Sequence, residues 1–225
     1  MTFSIVARCS ETRQLGIAIS SSSIAVAARC PWARAGVGAV ATQNVTLPSL
    51  GLRILDRLEN EKLHPREALE MACNADAYRD YRQVTVIDAQ GRTALFTGRE
   101  ALGVHEAIAG DQCVAAGNLL SSPDVIAAMV RSFETSTGLL GDRLVAAMRA
   151  AVEAGGEAGP VRSAGMKIVD AVEWPIADLR VDWIETDPID HLAGLWTAYK
   201  PQMRDYLTRA LNPTAAPSYG VPGDE

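Results

Sequence analysis

The chemistry a reader meets first in this chain is at its start, where Met1 is followed by Thr2. Once Met1 is removed, Thr2 carries a hydroxyl and a free α-amine on one residue. That pair is a nucleophile with its own base, because the amine can take the hydroxyl proton directly or through one water. Other residues could serve such a centre. The run Ser20-Ser21-Ser22-Ser23 ends a predicted strand that pairs with the first, so an antiparallel hairpin brings residues of about 17–22 beside Thr2. Ser22 and Ser23 are therefore candidates for positioning a substrate, with a polar exit from the strand as the plain structural alternative. Gln43 and Asn118 each close a predicted strand. The Asn118 amide could donate to a developing oxyanion, or simply form a turn, and Gln43 could line the pocket. Arg34 could grip a substrate carboxylate with two parallel hydrogen bonds, or pair with a surface acid.

Competing chemistries have less to stand on. Gly-x-Ser-x-Gly is absent, and His64, His105 and His191 share no strand-end context from which to orient a serine. A nucleophile at Ser22 or Cys30 has no visible base. The four cysteines, Cys9, Cys30, Cys73 and Cys113, are widely spaced with no C-x-x-C, which reads as free thiols and not as a zinc site. Metal ligands are not clustered, so no metal and no cofactor is expected. Gly36-x-Gly38-x-x-Ala41 mimics a dinucleotide fingerprint, but the residues after it read as strand and loop, not helix.

The elements that must hold these residues follow from periodicity. Residues 3–8 and Leu15–Ser20 read as strands around the turn Ser10–Gln14, apolar on both faces, so they belong inside a covered sheet. Arg34–Gln43 reads as a third buried strand. Helices are expected from Gly51 to about Glu59 and from Pro65 through Ala72. Gln83–Asp88 and Arg92–Thr97 flank a clear hairpin turn, and Asp111–Ala116 is a further strand. Ser122-Pro123-Asp124 opens a helix with Ser122 as cap. Residues 139–154 form another, 163–169 and 178–184 are late strands, and His191 to about Leu211 is a C-terminal helix. Residues 212–225 read as a loose tail after a single domain spanning 1–211. Grouped strands and grouped helices argue against regular βαβ winding. They predict an α+β fold, a four-layer α-β-β-α sandwich of mostly antiparallel sheets.

The 225 residues are 48% hydrophobic with a formal net charge of −6. Scattered Lys and Arg argue against nucleic-acid binding. No apolar run reaches membrane-spanning length, and no basic-then-apolar leader is visible, so a cytoplasmic location is expected.

Several stretches together resemble a bacterial family of unknown function grouped with the N-terminal-nucleophile (Ntn) hydrolases. They are the opening Thr2–Arg8, Gly16–Ser21, Pro31–Gln43, Val86–Gly91, Phe96–Gly98, Ala116–Leu120 and Asp178–Asp182. The resemblance implies the same sandwich, with Thr2 as nucleophile after methionine removal and amides as the usual substrates. One departure stands out: the basic, polar run expected before Ser163-Ala164 is reduced to Arg162. The resulting expectation is an amidohydrolase acting on a small polar amide, a homo-oligomer with a dimer favoured. The alternative is a non-catalytic binding or assembly protein on the same fold.

Overall fold

The computed structural model describes residues 1–221. In chain order its strands are β1 (Thr2–Arg8), β2 (Leu15–Ser21), β3 (Pro31–Arg34), β4 (Gly38–Asn44), β5 (Arg82–Asp88), β6 (Thr93–Thr97), β7 (Glu106–Gly110), β8 (Cys113–Asn118), β9 (Ser163–Val169) and β10 (Ala177–Val181). Its α-helices are α1 (Ser49–Asn60), α2 (Pro65–Asn74), α3 (Asp124–Thr135), α4 (Leu140–Glu153), α5 (Pro188–Tyr199) and α6 (Met203–Leu211). The result is a mixed α/β protein with two antiparallel sheets. One has six strands in the order β10-β9-β2-β1-β8-β7, the other four in the order β3-β4-β5-β6.

Side-chain alternation sorts the strands into faces. On β1, Phe3, Ile5 and Ala7 pack with Met129, Phe133, Leu144 and Met148 of α3 and α4. Val6 points the other way and meets Ile17, Ala39, Ala41 and Ile87 in a cluster shared by the two sheets. On the far side of the smaller sheet, Val40, Val84 and Val86 pack with Leu50, Ile54 and Leu69 of α1 and α2. The two apolar faces of β1 anticipated from its sequence are thus both covered, one by helices and one by a second sheet.

Several sequence expectations need correction. The single strand expected over Arg34–Gln43 is a hairpin: β3 and β4 are joined through Gly36, whose φ of +69° turns the chain back. The strand β7 had no clear signal, because Glu106–Gly110 carries one large apolar side chain, Ile108. The C-terminal helix is two helices, α5 and α6, divided at Lys200-Pro201, since proline removes a backbone donor and clashes within a helix. Helix α3 has Pro123 at its cap position, while Ser122 Oγ accepts from the Asp124 N–H at 3.2 Å. Near the C-terminus, the Arg209 guanidinium of α6 lies 3.9 Å from the centre of the Tyr219 ring. Residues 222–225 lie outside the described residues. Among the described residues no helix is long and apolar enough to cross a membrane.

Helix α5 docks on α4 through one close approach. Trp196 lies flat on Gly141, and its Nε1 donates to Asp142 Oδ1 at 2.8 Å. A Cβ on Gly141 would fall 2.4 Å from Trp196 Cζ2, whereas a Cβ on Gly194 of α5 would meet nothing within 4 Å. Gly141→Ala is therefore expected to destabilise the protein by about 2 kcal/mol through overpacking. Gly194→Ala should stabilise it by up to about 1 kcal/mol through helix propensity. Thermal unfolding of the two variants checks this, with Tm moving in opposite directions.

Candidate functional site

The pairing registers put the start of β1 in a row of polar residues. Thr2 stands opposite Ser21 on β2 and opposite Asn118 on β8, and Ser21 stands opposite Ser163 on β9. The row closes one end of the larger sheet. Thr2 Oγ1 lies 3.1 Å from Ser21 Oγ, and each of these hydroxyls is 2.5 Å from the carbonyl oxygen of Met1. Each hydroxyl has one proton, so at most two edges of this triangle are hydrogen bonds at any moment.

Ser21 is oriented from behind. The Arg29 guanidinium donates to Ser23 Oγ at 3.1 Å, and Ser23 Oγ lies 2.9 Å from Ser21 Oγ. With the guanidinium as donor, Ser23 can pass its own proton toward Ser21 and leave the Ser21 proton for the Met1 carbonyl. A chain of hydrogen bonds that begins at a cation polarises each successive hydroxyl. The Ser23 N–H also donates to Ser21 Oγ, at 3.1 Å, and Ser163 Oγ donates to the Ser23 carbonyl at 2.6 Å.

Beneath Thr2, between the two sheets, runs a buried amide network. Ser4 Oγ donates to Gln43 Oε1 at 2.6 Å, and Gln43 Nε2 donates to Gln83 Oε1 at 2.8 Å. The same Gln83 oxygen accepts from Asn118 Nδ2 at 3.2 Å, and Gln83 Nε2 donates to the Gly117 carbonyl at 3.0 Å. These are buried groups with their bonding capacity spent on one another, which is the condition for keeping polar side chains in an apolar layer.

Over Thr2 passes the segment that follows α4. Ser121 donates its N–H to the Gly156 carbonyl, Ala158 its own to Leu119, and Arg162 its own to Ser21, so residues 156–162 strap the end of the sheet from β8 across to β2. This strap carries Glu157, which is 6% exposed. Its Oε2 accepts from the Ser22 N–H at 3.2 Å, and its Oε1 is buried with no hydrogen-bond partner among the described residues. Burial pushes the carboxyl up from 4.5 to about 8, against the downward pull of the Met1 ammonium and of hydrogen bonding from Ser22.

The residues singled out from the sequence are therefore distributed as follows. Thr2 and Asn118 are neighbours, with one Asn118 N–H committed to Gln83. Ser22 touches the centre through its backbone, and Ser23 acts one hydroxyl removed from Thr2. Gln43 sits under Thr2 with its oxygen engaged by Ser4 and its NH2 by Gln83, so it supports the floor and does not face a ligand. Arg34 is elsewhere. It pairs with Gly38, at the end of β4 away from Gln43, and its guanidinium meets Asp56 at 2.8 Å and Glu59 at 2.5 Å on α1. The surface-pairing alternative describes it. Arg162, the remnant of the basic run, is tied to Glu185 by its carbonyl at 2.7 Å and its carboxylate at 2.9 Å.

Three contributors lacked any sequence signal: Ser21 itself as distinct from its neighbours, Arg29 and Glu157. Only the register singles out Ser21, and Glu157 is brought to the site by the strap although it lies 155 positions from Thr2 along the chain. The histidines play local parts, His64 capping α2 and the rings of His105 and His191 bonding nearby carbonyls. The thiol of Cys30 is buried and pushed up to about 11 by desolvation, as is that of Cys73, which makes neither a ready nucleophile.

The family of unknown function DUF1028 matches residues 2–192, and the chain belongs to it. A crystal structure of a protein of that family from Silicibacter pomeroyi is similar at 30% identity, with a TM-score of 0.82 over 88% of this chain and 89% of that one. The ancestral beta-subunit Anbu from Yersinia bercovieri is similar at 11% identity, with a TM-score of 0.39 over 91% of this chain and 97% of that one. That likeness is too slight to transfer any property. No curated protein matches the chain.

Glu157 makes stability pH-dependent in a direction opposite to the usual carboxylate. The folded chain holds a proton up to about pH 8 that the unfolded chain releases near 4.5. Its stabilising contribution is complete below 4.5 and is lost as pH rises through about 8. Relative to Glu157→Gln, the parent protein should lose on the order of 5 kcal/mol across that window. Urea unfolding at a series of pH values measures this; parallel profiles for the two proteins would refute it.

Proposed function

We propose that this protein is an amidohydrolase of the N-terminal-nucleophile kind, with Thr2 as its nucleophile once Met1 has been removed. In this reading the two sheets, flanked by α1–α2 on one side and α3–α5 on the other, are the α-β-β-α sandwich of that superfamily. The observation that carries the reading is the convergence of two hydroxyls, those of Thr2 and Ser21, on one carbonyl oxygen, that of Met1. An amide carbonyl seated there meets a nucleophile and a hydrogen-bond donor together.

The steps follow from the groups present. The Thr2 α-amine takes the proton of Oγ1, directly or through one water, as Oγ1 bonds to the substrate carbonyl carbon. The carbonyl oxygen becomes an oxyanion and receives the Ser21 hydroxyl proton as a hydrogen bond, in an environment where burial strengthens that bond. The amine then gives its proton to the leaving nitrogen, the C–N bond breaks, and an ester on Thr2 is left. Water, deprotonated by the same amine, hydrolyses the ester and restores the threonine. Arg29 and Ser23 hold the Ser21 hydroxyl in its donating orientation throughout.

A second reading has its own observation. With Met1 in place Thr2 is 7% exposed and has no free amine. A chain that keeps Met1 would be a non-catalytic binding or assembly protein on the same fold.

Mass spectrometry of the purified chain, followed by amide hydrolysis assays, separates the two. The Met1-free chain should hydrolyse small amides. Thr2→Ala should lower kcat/KM by roughly 10³-fold or more, the scale of losing both nucleophile and its proton path. Ser21→Ala should lower kcat by about 10²-fold, the scale of one oxyanion donor. Full activity in a chain shown to retain Met1 would sink the mechanism.

A further inference from the structure

Met1 is itself a carbonyl-linked group lying against the proposed nucleophile, and each of its parts meets a matching part of the protein. It is a methionyl group, with an α-ammonium, a carbonyl and an unbranched apolar side chain. Its carbonyl oxygen is received by Thr2 Oγ1 and Ser21 Oγ. Its side chain runs onto Gly159, where an added Cβ would lie 3.1 Å from Met1 Cε and 3.4 Å from Met1 Sδ. Its ammonium acts on Glu157, the buried carboxyl whose Oε1 has no hydrogen-bond partner among the described residues. The strap thus presents, two residues apart, a buried carboxyl group and a bare backbone surface.

A buried carboxyl oxygen without a hydrogen-bond partner is costly, and proteins keep such an atom where something else supplies the partner. In this chain Met1 is bonded to the Thr2 nitrogen, whereas a substrate acyl group would be bonded to Thr2 Oγ1. Both atoms belong to one residue and reach the same carbonyl carbon through a small ring. The acyl group of an acyl-enzyme therefore falls close to where the methionyl group now lies.

We infer that the acyl half of the substrate is an α-aminoacyl group with a free ammonium and an unbranched apolar side chain, seated where Met1 sits, with Glu157 receiving the ammonium and Gly159 leaving room for the side chain. This inference rests on the Thr2 reading of the same site and names its substrate class: α-aminoacyl amides, or the first residue of a peptide. Ser21 holds the acyl carbonyl, Glu157 fixes the amino group on one side of it, and the leaving amine exits away from the strap. Two fixed points on either side of a carbonyl orient it toward the nucleophile, the arrangement from which positioning gains rate.

The test uses the full chain with a verified Thr2 N-terminus and four compounds: L-methioninamide, N-acetyl-L-methioninamide, glycinamide and the dipeptide L-methionyl-L-alanine. L-Methioninamide should be hydrolysed with kcat/KM at least 100-fold above its N-acetyl derivative. Glu157→Gln should shrink that ratio at least tenfold. Gly159→Val, which fills the side-chain ground, should shift preference from L-methioninamide toward glycinamide, and it keeps the inference testable should Glu157→Gln fold poorly. Faster cleavage of the dipeptide than of L-methioninamide would identify a peptide N-terminus as the natural source of the group, and the reverse would identify simple amides. Equal turnover of the free and acetylated amides would overturn the inference while leaving Thr2 as nucleophile. Calorimetry on Thr2→Ala, also freed of Met1, covers the opposite case. If that chain binds L-methioninamide and not its acetylated form, while the Thr2 chain hydrolyses neither, the subsite stands and the nucleophile reading falls. If neither chain binds or hydrolyses L-methioninamide, the inference fails.

Discussion

The structure depends on β1 being a central strand from its first residue. It is paired on both edges and covered on both faces, so the beginning of the chain is fixed in the middle of the larger sheet. Termini are ordinarily the least ordered part of a domain unless a sheet holds them. Here two ladders hold Thr2 in register with Ser21 and Asn118. The period of two then decides everything else about its surroundings. Phe3, Ile5 and Ala7 must face the helices, so Thr2, Ser4 and Val6 must face the second sheet. A slip of one residue would drive Thr2 and Ser4 into the Phe133 and Met148 cluster and turn Phe3 onto the polar floor.

That orientation sends polar side chains into a layer otherwise filled by Val, Ile and Ala, and the second sheet is built to receive them. Gln43 and Gln83 lie directly opposite each other on β4 and β5 and pass hydrogen bonds from Ser4 to Asn118 and to the Gly117 carbonyl. A half-satisfied network in this position would cost more than an apolar one. The floor is therefore rigid, and what lies above Thr2 is set by the strap that carries Glu157 and Gly159 across from β8 to β2.

How much of this was legible in the sequence follows from distance along the chain. The β1–β2 hairpin was legible because its turn and its two apolar faces are local, and with it the neighbourhood of Thr2 and the serine run. The hairpin at Asp88–Gly91 was legible for the same reason. Its Asp88 carboxylate accepts from the N–H groups of Gln90 and Arg92, a turn written in adjacent residues. Arg34 was misplaced because β3 and β4 read as one continuous apolar strand. The turn at Gly36 puts it beside α1, where two carboxylates already claim it. Glu157 could not have been found, because an acid next to a Gly-Gly pair looks like any loop acid. Its character comes from burial under a strap whose anchors are backbone bonds to Leu119 and Ser21. Gln83 was equally silent: its amide matters only because β5 stands beside β4 and faces β8.

The same geometry bears on what must happen when Met1 leaves. Its carbonyl is the acceptor for two hydroxyls, and its ammonium pulls the Glu157 carboxyl downward while one Glu157 oxygen stays unpartnered among the described residues. Removing it exposes Thr2 Oγ1, Ser21 Oγ and Glu157 Oε1 together, along with a new amine on Thr2. An apolar vacancy could stay dry, but one lined by three such oxygens and an amine must be refilled by water or by a polar group, since each atom left bare would carry its own desolvation cost. The ground vacated by Met1 is therefore polar at two ends and apolar only against Gly159.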